Sequence, residues 1–516
     1  MIDRRGFVQS MLVLGAATGI RPASVLLAYP PSSELRDLAD AALASAKAAG
    51  ASYADVRINR YRNQFIFTRD RRVQNIVNTE DYGFGVRVIV DGTWGFSSSS
   101  NVTKDEIARV AKQAVAIAKA NRRLNEEPVR LAPVESFDGE WNTPVKKNPF
   151  DMPLQPKLDL LLQIHEEALK VKGASFVSAS MQFVNEQKYF ASTDGSHIQQ
   201  SLIRSYPSFS VTAVDRGTGK FYSRAALTAP TGMGYEYVEG YPLLEEARVA
   251  AEEAVAMHKA KPAPAGQKTL ILHPTNLWLT IHESVGHSTE LDRALGYEAN
   301  LAGTSFLTTD KLGKFEFGSK IVNLVADKTQ ERAIATCGYD DDGVKTTRWH
   351  LIKDGVFVDY QTTRDQAHLI NQKASHGCSY ADSWASIPFQ RMPNVSLEPG
   401  EKDLTENDII SATDDGVYVK GDASYSIDQQ RYNFQFSGQT FWEVKGGKIT
   451  TQLRDLAYQS NTPEFWKSCD MVGGKSTYAL GGAFSDGKGQ PMQTNSVSHG
   501  APITRFARVN ILNTGR

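Results

Sequence analysis

The sequence contains few cysteines. Only Cys337, Cys378 and Cys469 occur among its 516 residues, which excludes a framework of several disulfides. No two of them form a CxxC pair, so nothing indicates a zinc site made of thiolates. At most one disulfide could form, and one thiol would then remain free. The cysteine content is therefore compatible with any compartment.

An excess of one charge is also missing. Lys and Arg number 57, Asp and Glu number 58, and no block of like charges stands out. Electrostatics therefore give no reason to expect nucleic acid or an anionic membrane as a partner. The content of 41% hydrophobic and 22% charged residues is typical of a globular protein with apolar cores. At roughly 100–200 residues a domain, the length predicts two or three domains.

Long apolar runs are the third absence. Residues 11–20, the apolar run nearest the N-terminus, are too few to cross a bilayer core of ~30 Å as a helix. They follow Arg4 and Arg5 and precede small residues, an arrangement that resembles a twin-arginine export signal; the alternative is an ordinary basic N-terminus. We therefore expect residues 1–30 to be a signal peptide, the mature chain to have no membrane span, and the protein to be periplasmic or otherwise exported. A processed N-terminus in a periplasmic fraction is the expected result, and an unprocessed cytoplasmic protein would contradict it.

Capping and turn signals predict two α+β units in the N-terminal half. In residues 31–127, Ser33 is a predicted N-cap, Gly50 a predicted helix stop, and Asp91-Gly92 a predicted hairpin turn after an alternating strand. Residues 150–258 show the same mixture: a leucine-rich helix, alternating strands and a closing helix. Each unit is expected to combine helices with a sheet.

The remainder of the chain is predicted to be rich in β-structure. Residues 259–266 have the composition of a linker. Residues 267–516 contain one helix followed by many short strands, a pattern typical of a barrel or a sandwich. The turn signals between these strands include Asp354-Gly355, Asp415-Gly416 and Gly446-Gly447. The predicted fold class is thus α+β, with two N-terminal units and a β-rich C-terminal domain.

Residues 281–290 carry the strongest chemical signal. His282 stands directly before Glu283, and His287 follows a few residues later. Zinc is bound by neutral imidazole nitrogens, and in a hydrolytic site it lowers the pKa of water to roughly 7. A carboxylate beside one ligand can accept a proton from that water and pass it to a leaving amine. The segment therefore predicts a zinc site with Glu283 as the general base.

The spacing of the two histidines differs from that of the common HExxH motif. Histidines four residues apart are about 400° apart around a helix, and so lie nearly on one face. His282 and His287 are five apart, which leaves them about 140° from one another on an ideal helix. The alternative interpretation is that the two histidines are unrelated and do not share a metal. A π-bulge would bring them together, and Gly286 supplies a permissive backbone. We predict a π-bulge there, or a helix that ends at Gly286.

The same segment resembles the HExxxH active-site signature of the TldD/PmbA family of zinc metallopeptidases. Further stretches are similar to that family and follow in the same order: residues 85–96, 270–274, 386–394, 471–474 and 487–491. The resemblance implies a peptidase that uses Zn²⁺ to hydrolyse extended or unfolded peptides, bound by strand addition to a sheet edge. It also implies a homodimer, or a heterodimer with a related subunit.

The third zinc ligand is where this sequence departs from the family. The family's usual ligand is a cysteine before a Gly-Lys-Gly-Gln type of run, and Asp486 stands at that position here. Aspartate is an acceptable zinc ligand, with a Zn–O distance of about 2.0–2.2 Å. Cys469 and Glu290 are the competing ligands, and the absence of a third protein ligand is the remaining alternative. The resemblance therefore implies His282, His287 and Asp486 as the metal ligands.

Two other functions stay open at this stage. The family also contains partner subunits that lack the zinc signature, so the missing cysteine favours a non-catalytic peptide-binding subunit, whereas the intact His-Glu-x-x-x-His opposes it. The other alternative is a zinc hydrolase that acts on a non-peptide amide. Arg391 could bind a peptide carbonyl or carboxylate, or make structural hydrogen bonds. The run Asp340-Asp341-Asp342 lacks EF-hand spacing, and lone histidines such as His499 are interpreted as structural or solvated.

Overall fold

The structure, a computed structural model, describes residues 29–124 and 127–515. Residues 1–28, which include Arg4, Arg5 and the apolar run after them, lie outside the described residues, so the predicted signal peptide remains a prediction. In the described part of the chain, no helix combines the length and the apolar character needed to cross a membrane.

Both N-terminal units contribute strands to one seven-stranded sheet. Its strands are β1 (Tyr53–Arg69), β2 (Arg72–Val90), β3 (Thr93–Ser99), β4 (Asp138–Asn142), β5 (Ala174–Ser192), β6 (His197–Val214) and β7 (Phe221–Ala225). The order is β3-β2-β1-β5-β6-β4, with β7 also paired to β6. The seam between the units is the antiparallel pair β1 and β5, which runs from Asp55 opposite Ser192 to Arg69 opposite Ser178. The α+β character of both units is confirmed, and they share a single sheet.

In the described part of the chain, five helices lie against this sheet in two groups. They are α1 (Ser32–Ala48), α2 (Lys104–Asn121), α3 (Leu154–Leu169), α4 (Tyr235–Gly240) and α5 (Leu243–Ala256). Helices α1 and α2 share a buried cluster with β1 and β2, including Val56 and Val86, while α3, α4 and α5 share another with β5 and β6, including Phe183. Side chains alternate between the faces of a strand, so Val56 faces the helices while Asp55 and Arg57 face the opposite side of the sheet.

The local signals in the first unit have mixed outcomes. Gly50 has a φ of +107° directly after the C-cap of α1, and Asp91 and Gly92 both have positive φ, as a tight hairpin requires. Both turns are therefore confirmed. The predicted N-cap Ser33 is wrong, because α1 begins at Ser32 and its N-cap is Pro31, which has no side-chain acceptor to offer.

The C-terminal domain is built around a closed barrel. Its strands are β8 (Lys261–Pro262), β9 (Gly266–Leu272), β10 (Leu324–Asp327), β11 (Arg348–Lys353), β12 (Val356–Phe357), β13 (Ser379–Tyr380), β14 (Phe389–Gln390), β15 (Val395–Leu397), β16 (Asp415–Ile427), β17 (Asn433–Lys445), β18 (Lys448–Arg454), β19 (Leu456–Asn461), β20 (Cys469–Val472), β21 (Ala479–Lys488), β22 (Gln493–Ala501) and β23 (Thr504–Asn513). The sheet order β16-β9-β23-β19-β17 closes through pairing of β17 with β16. The predicted β-rich domain is confirmed, and the barrel alternative is the correct one.

Short helices and a separate hairpin complete this domain. The helices are α6 (Pro274–Ile281), α7 (Leu291–Ala294), α8 (Glu406–Ser411) and α9 (Thr462–Lys467). Strands β21 and β22 form a two-stranded sheet of their own, and α6 contacts both of them. This contact places the C-terminal end of α6 close to the β21–β22 hairpin.

The linker and turn signals near this domain have separate outcomes. The predicted linker over 259–266 contains β8, which pairs in parallel with β18. The predicted turn Asp415-Gly416 is the start of β16, and a Cβ on Gly416 would lie 2.8 Å from the carbonyl oxygen of Thr269. This glycine permits close approach of two strands. The glycines of Asp354-Gly355 and Gly446-Gly447 have positive φ, so those turns are confirmed.

The acidic run Asp340-Asp341-Asp342 joins the domains. Asp341 lies 3.1 Å from Lys188 and 3.8 Å from Arg57, and Asp342 lies 2.6 Å from Arg87. These cations come from the sheet face opposite the helices. Removing one partner of a buried ion pair costs about 3–5 kcal/mol, so the run holds the C-terminal domain against the N-terminal sheet.

Candidate metal centre

Strand β9 and helix α6 lead into the segment that carries the two histidines. His273 is the N-cap of α6, where its side chain accepts a hydrogen bond from the backbone N–H of Thr275, and Pro274 occupies the first turn. Leu277 and Ile281 are fully buried in the barrel core. The helix is therefore fixed at its start by capping and along its length by packing, and it delivers His282 at its C-terminal end.

The segment His282–Gly286 is a π-helical turn. The backbone N–H of His287 donates to the carbonyl oxygen of His282, a bond that spans five residues. The two imidazole rings consequently lie with centroids 4.6 Å apart and planes at 75°. A Cβ on Gly286 would lie 2.5 Å from the sulfur of Met392, so a side chain there would collide with the core. The predicted π-bulge is confirmed.

Asp486 reaches the same point from β21. Its Oδ1 lies 3.6 Å from Nε2 of His282 and 3.5 Å from Nε2 of His287, and the three donor atoms lie within 4.8 Å of one another. Zinc bonds of about 2.0–2.2 Å to nitrogen and oxygen give a ligand–ligand separation of roughly 3.4 Å in a tetrahedron. All three residues are buried. The donor types and their separations therefore fit a zinc ion.

The charges around Asp486 and His287 favour the forms of these two residues that bind a metal. Burial would raise the pKa of the Asp486 carboxyl, but His287, His282 and Arg391 hold that pKa well below its usual range. Burial and the nearby charge of Arg293 lower the pKa of His287 to about 4. Burial acts to lower the pKa of His282, but the negative charges of Asp486 and Glu283 together outweigh burial and raise that pKa. Asp486 is therefore ionised and His287 neutral at neutral pH.

The Nδ1 atom of each histidine has a partner on the side away from Asp486. Nδ1 of His287 lies 3.0 Å from Oε2 of Glu290, and Glu290 is paired with Arg293 at 2.8 Å and Lys488 at 3.2 Å. A carboxylate can only accept, so Nδ1 of His287 carries the proton and Nε2 presents its lone pair. Nδ1 of His282 lies 2.8 Å from Nε2 of His499. Both rings thus face Asp486 with Nε2.

Three domain models of one protein family match successive parts of the chain. Residues 54–118 match the model described as PmbA/TldA metallopeptidase domain 1, and residues 147–259 match the central domain. Residues 265–513 match the PmbA/TldA metallopeptidase C-terminal domain. The chain belongs to the TldD/PmbA family.

Individual relatives are distant in sequence but similar in length. A protein named metalloprotease from Methanocaldococcus jannaschii is 26% identical over 440 residues, which cover 85% of this chain and 94% of that protein. A zinc metalloprotease TldD homolog from Saccharolobus solfataricus is 23% identical over 472 residues, which cover 90% and 97%. The crystal structure of TldE from Thermococcus kodakarensis shares the fold with a TM-score of 0.69 and 16% identity, over 93% of this chain and 99% of that one.

The alternative third ligands of this TldD/PmbA chain lie in other surroundings. Cys469 is buried in the barrel core, at the start of β20, and burial raises the pKa of its thiol. It is not among the donors that gather with the histidines. Glu290 contacts His287 through Nδ1, opposite the nitrogen that faces Asp486. Of the three candidates from the sequence, only Asp486 is grouped with the Nε2 atoms of both histidines.

Glu283 lies in the π-helical turn and forms an ion pair. Its Oε2 is 2.6 Å from Nη1 of Arg431, a residue in the turn between β16 and β17. Burial lowers the pKa of Arg431, although the negative charge of Glu283 acts to raise it. Glu283 itself is 4% exposed. The arginine therefore holds the carboxylate in a defined orientation next to His282.

Arg391 has a structural role at the same place. Its guanidinium donates to the backbone oxygens of Gln493, at 2.9 Å, and Asp486, and Nη2 lies 3.3 Å from Oδ2 of Asp486. Arg391 is 2% exposed, and these hydrogen bonds bind it to the β21–β22 hairpin. Of the two interpretations of Arg391, the structure favours structural hydrogen bonding over contact with a substrate.

Several supporting residues could not be found from the sequence. Arg431 and His499 reach the site from segments far along the chain, and no spacing rule connects them with the histidines. Arg293 pairs with Glu290 three residues earlier, and Lys488 lies two residues after Asp486. The sequence shows Lys488 as a member of the Gly-Lys-Gly-Gln run, but that run does not predict its contact with Glu290. A prediction of strand register between β21 and β22 would have been needed to place His499 near His282.

Proposed function

We propose that this chain is a zinc-dependent peptidase that hydrolyses extended or unfolded peptides. The observation that carries the proposal is the convergence of His282, His287 and Asp486 through a π-helical turn that also contains Glu283. Relatives named metalloproteases along most of the chain support the same reaction class.

The roles of the side chains follow from their chemistry. His282, His287 and Asp486 would hold the ion, which supplies Lewis acidity for the peptide carbonyl and makes water acidic near neutral pH. Glu283 accepts the proton of the attacking water and then gives it to the amide nitrogen as that nitrogen leaves. Arg431 keeps the Glu283 carboxylate in one orientation through this transfer.

A groove beside β21 is suited to an extended chain. Within residues 29–124 and 127–515, β21 pairs only with β22, so no other strand of this part of the chain occupies its second edge. A cavity of about 240 Å³ lies along this edge and is lined by Trp278, Asp422 and Phe484 among others. A peptide that adds to this edge would be bound through its backbone, with little sequence preference, and would pass close to Asp486.

Zinc content is the first test of this proposal. We expect the purified protein to contain about one zinc per chain and the His282→Ala variant to lose it, because one of the ligands is gone. His350→Ala is the matched control, since His350 lies on β11, pairs with Glu398 and is not one of the three metal donors, and it should keep its zinc. Metal analysis by mass spectrometry measures all three proteins.

The same measurement distinguishes a peptidase from a non-catalytic peptide-binding subunit. The aspartate in place of the family's cysteine favours a non-catalytic peptide-binding subunit, and a protein without zinc that still binds peptide would establish that role.

We further propose a dimer, either of this chain or with a related subunit, as the likeness in fold to TldE suggests. Light scattering of the same preparation would contradict the homodimer if it gave the mass of one chain.

A further inference from the structure

His499 is buried between the backbone of β15 and the first histidine of the site. It lies on β22 and is fully buried. Its Nδ1 is 2.8 Å from the carbonyl oxygen of Val395, and its Nε2 is 2.8 Å from Nδ1 of His282. Both ring nitrogens therefore have one partner each. His499 does not face Asp486, because it meets His282 on the opposite side of the ring.

The direction of the two hydrogen bonds is fixed by chemistry. A carbonyl oxygen can only accept, so Nδ1 of His499 carries a proton and donates to Val395. A neutral imidazole has one proton, so Nε2 of His499 must be an acceptor. Nδ1 of His282 then has to be the donor in the 2.8 Å contact. The remaining nitrogen of His282, Nε2, is left as the one that faces Asp486.

We propose that His499 is a positioning residue that sets the tautomer and the ring orientation of His282, so that Nε2 of His282 is offered to the metal. The inference rests on the proposed function in that it takes His282 as a zinc ligand. Partners of this kind usually are carboxylates, backbone carbonyls or water. Here a neutral imidazole linked to a carbonyl performs the task for His282, while the carboxylate of Glu290 performs it for His287.

The surroundings keep His499 in place and without charge. The ring of Trp278 is stacked on His499 at a centroid distance of 6.2 Å and an angle of 12°, and its edge meets His282 at 6.4 Å. The two ring nitrogens of His499 contact a carbonyl oxygen and an imidazole nitrogen, not a carboxylate, and a buried charge without an opposite partner is costly. A carboxylate at this position would add a second negative charge beside Asp486. A neutral acceptor orients His282 without adding that charge.

Two variants of His499 separate positioning from packing. The amide of His499→Gln can reach the place of Nε2 and accept from His282, whereas the shorter amide of His499→Asn can replace Nδ1 as donor to Val395 but cannot reach His282. Loss of an outer partner of a metal ligand weakens metal binding by about 10–100-fold. We expect that loss in His499→Asn and an affinity near that of the wild type in His499→Gln, measured by competition of the protein with a chromophoric zinc chelator.

Nitrogen NMR of the metal-free protein supplies a readout that needs neither zinc nor activity. In alkaline buffer, the signal that disappears in His282→Ala should show a proton on Nδ1 in the wild type and in His499→Gln, and a mixture of tautomers in His499→Asn. Equal zinc affinity and an unchanged tautomer in His499→Asn would overturn the inference and leave the proposed peptidase intact. Equal weakening in both variants, together with equal loss of thermal stability, would show a packing role and also overturn it. A wild type that binds no zinc would overturn the proposed function, and the tautomer would still be read from the NMR signal.

Discussion

Peptide cleavage should fall by about 10²–10⁴-fold in a Glu283→Gln variant that still contains zinc, because the general base is removed and the ligands are not. Glutamine has nearly the same shape as glutamate, and its amide oxygen can still accept from Arg431, which now bonds to Oε2 of Glu283. The fold and the metal site are therefore expected to survive. The measurement is the rate of cleavage of an unfolded peptide, followed by chromatography of the products.

A control for this variant is available on the surface. Glu166 lies on α3 and is exposed, so Glu166→Gln makes the same chemical change far from the site and should cleave at the rate of the wild type. If Glu283→Gln cleaved as fast as that control, Glu283 would not be the base. If neither variant nor the wild type cleaved peptides while all bound zinc, the hydrolase of a non-peptide amide would become the better hypothesis.

Asp486→Ala is expected to have the largest effect on zinc. The variant removes the carboxylate oxygen that lies 3.6 and 3.5 Å from the two Nε2 atoms, and zinc affinity should fall by more than about 100-fold, beyond the loss typical of an outer partner. Cleavage should be lost with the metal. The hairpin should remain folded, because Arg391 still donates to the backbone oxygens of residue 486 and of Gln493. Calorimetric titration with zinc measures the affinity.

Two companion variants define what Asp486 does. Asp486→Cys restores a ligand, since thiolate binds zinc at about 2.3 Å, and it should recover zinc binding. Cys469→Ala should bind zinc as the wild type does, because Cys469 lies in the barrel core away from the histidines. Loss of zinc in Cys469→Ala with retention in Asp486→Ala would mean that the wrong side chain has been assigned as the third ligand.

The local part of the site could be predicted from the sequence, and the distant part could not. The five-residue spacing of His282 and His287 predicted either a π-bulge or a helix that ends at Gly286, and the structure has the π-helical turn. Asp486 came from resemblance, because nothing local connects β21 with α6. Arg431 and His499 depend on how β16, β17 and β22 are arranged in space, which is a property of the whole domain.

The fold shows the same division between local and distant information. The glycines at 50, 92, 355 and 447 have positive φ, a requirement that the residue type itself reveals. Gly416 looks the same in sequence, yet it serves close contact with Thr269 on a neighbouring strand. The stretch 259–266 has a linker's composition, but the pairing of β8 with β18 depends on a strand nearly two hundred residues away.

The seam between β1 and β5 has a practical consequence for anyone who divides the chain into fragments. A fragment that stopped before β5 would leave β1 with an open edge from Asp55 to Arg69, and the complementary fragment would leave the matching edge on β5. Long open edges invite pairing with other chains and aggregation. The two halves of the N-terminal region should therefore be produced as one piece.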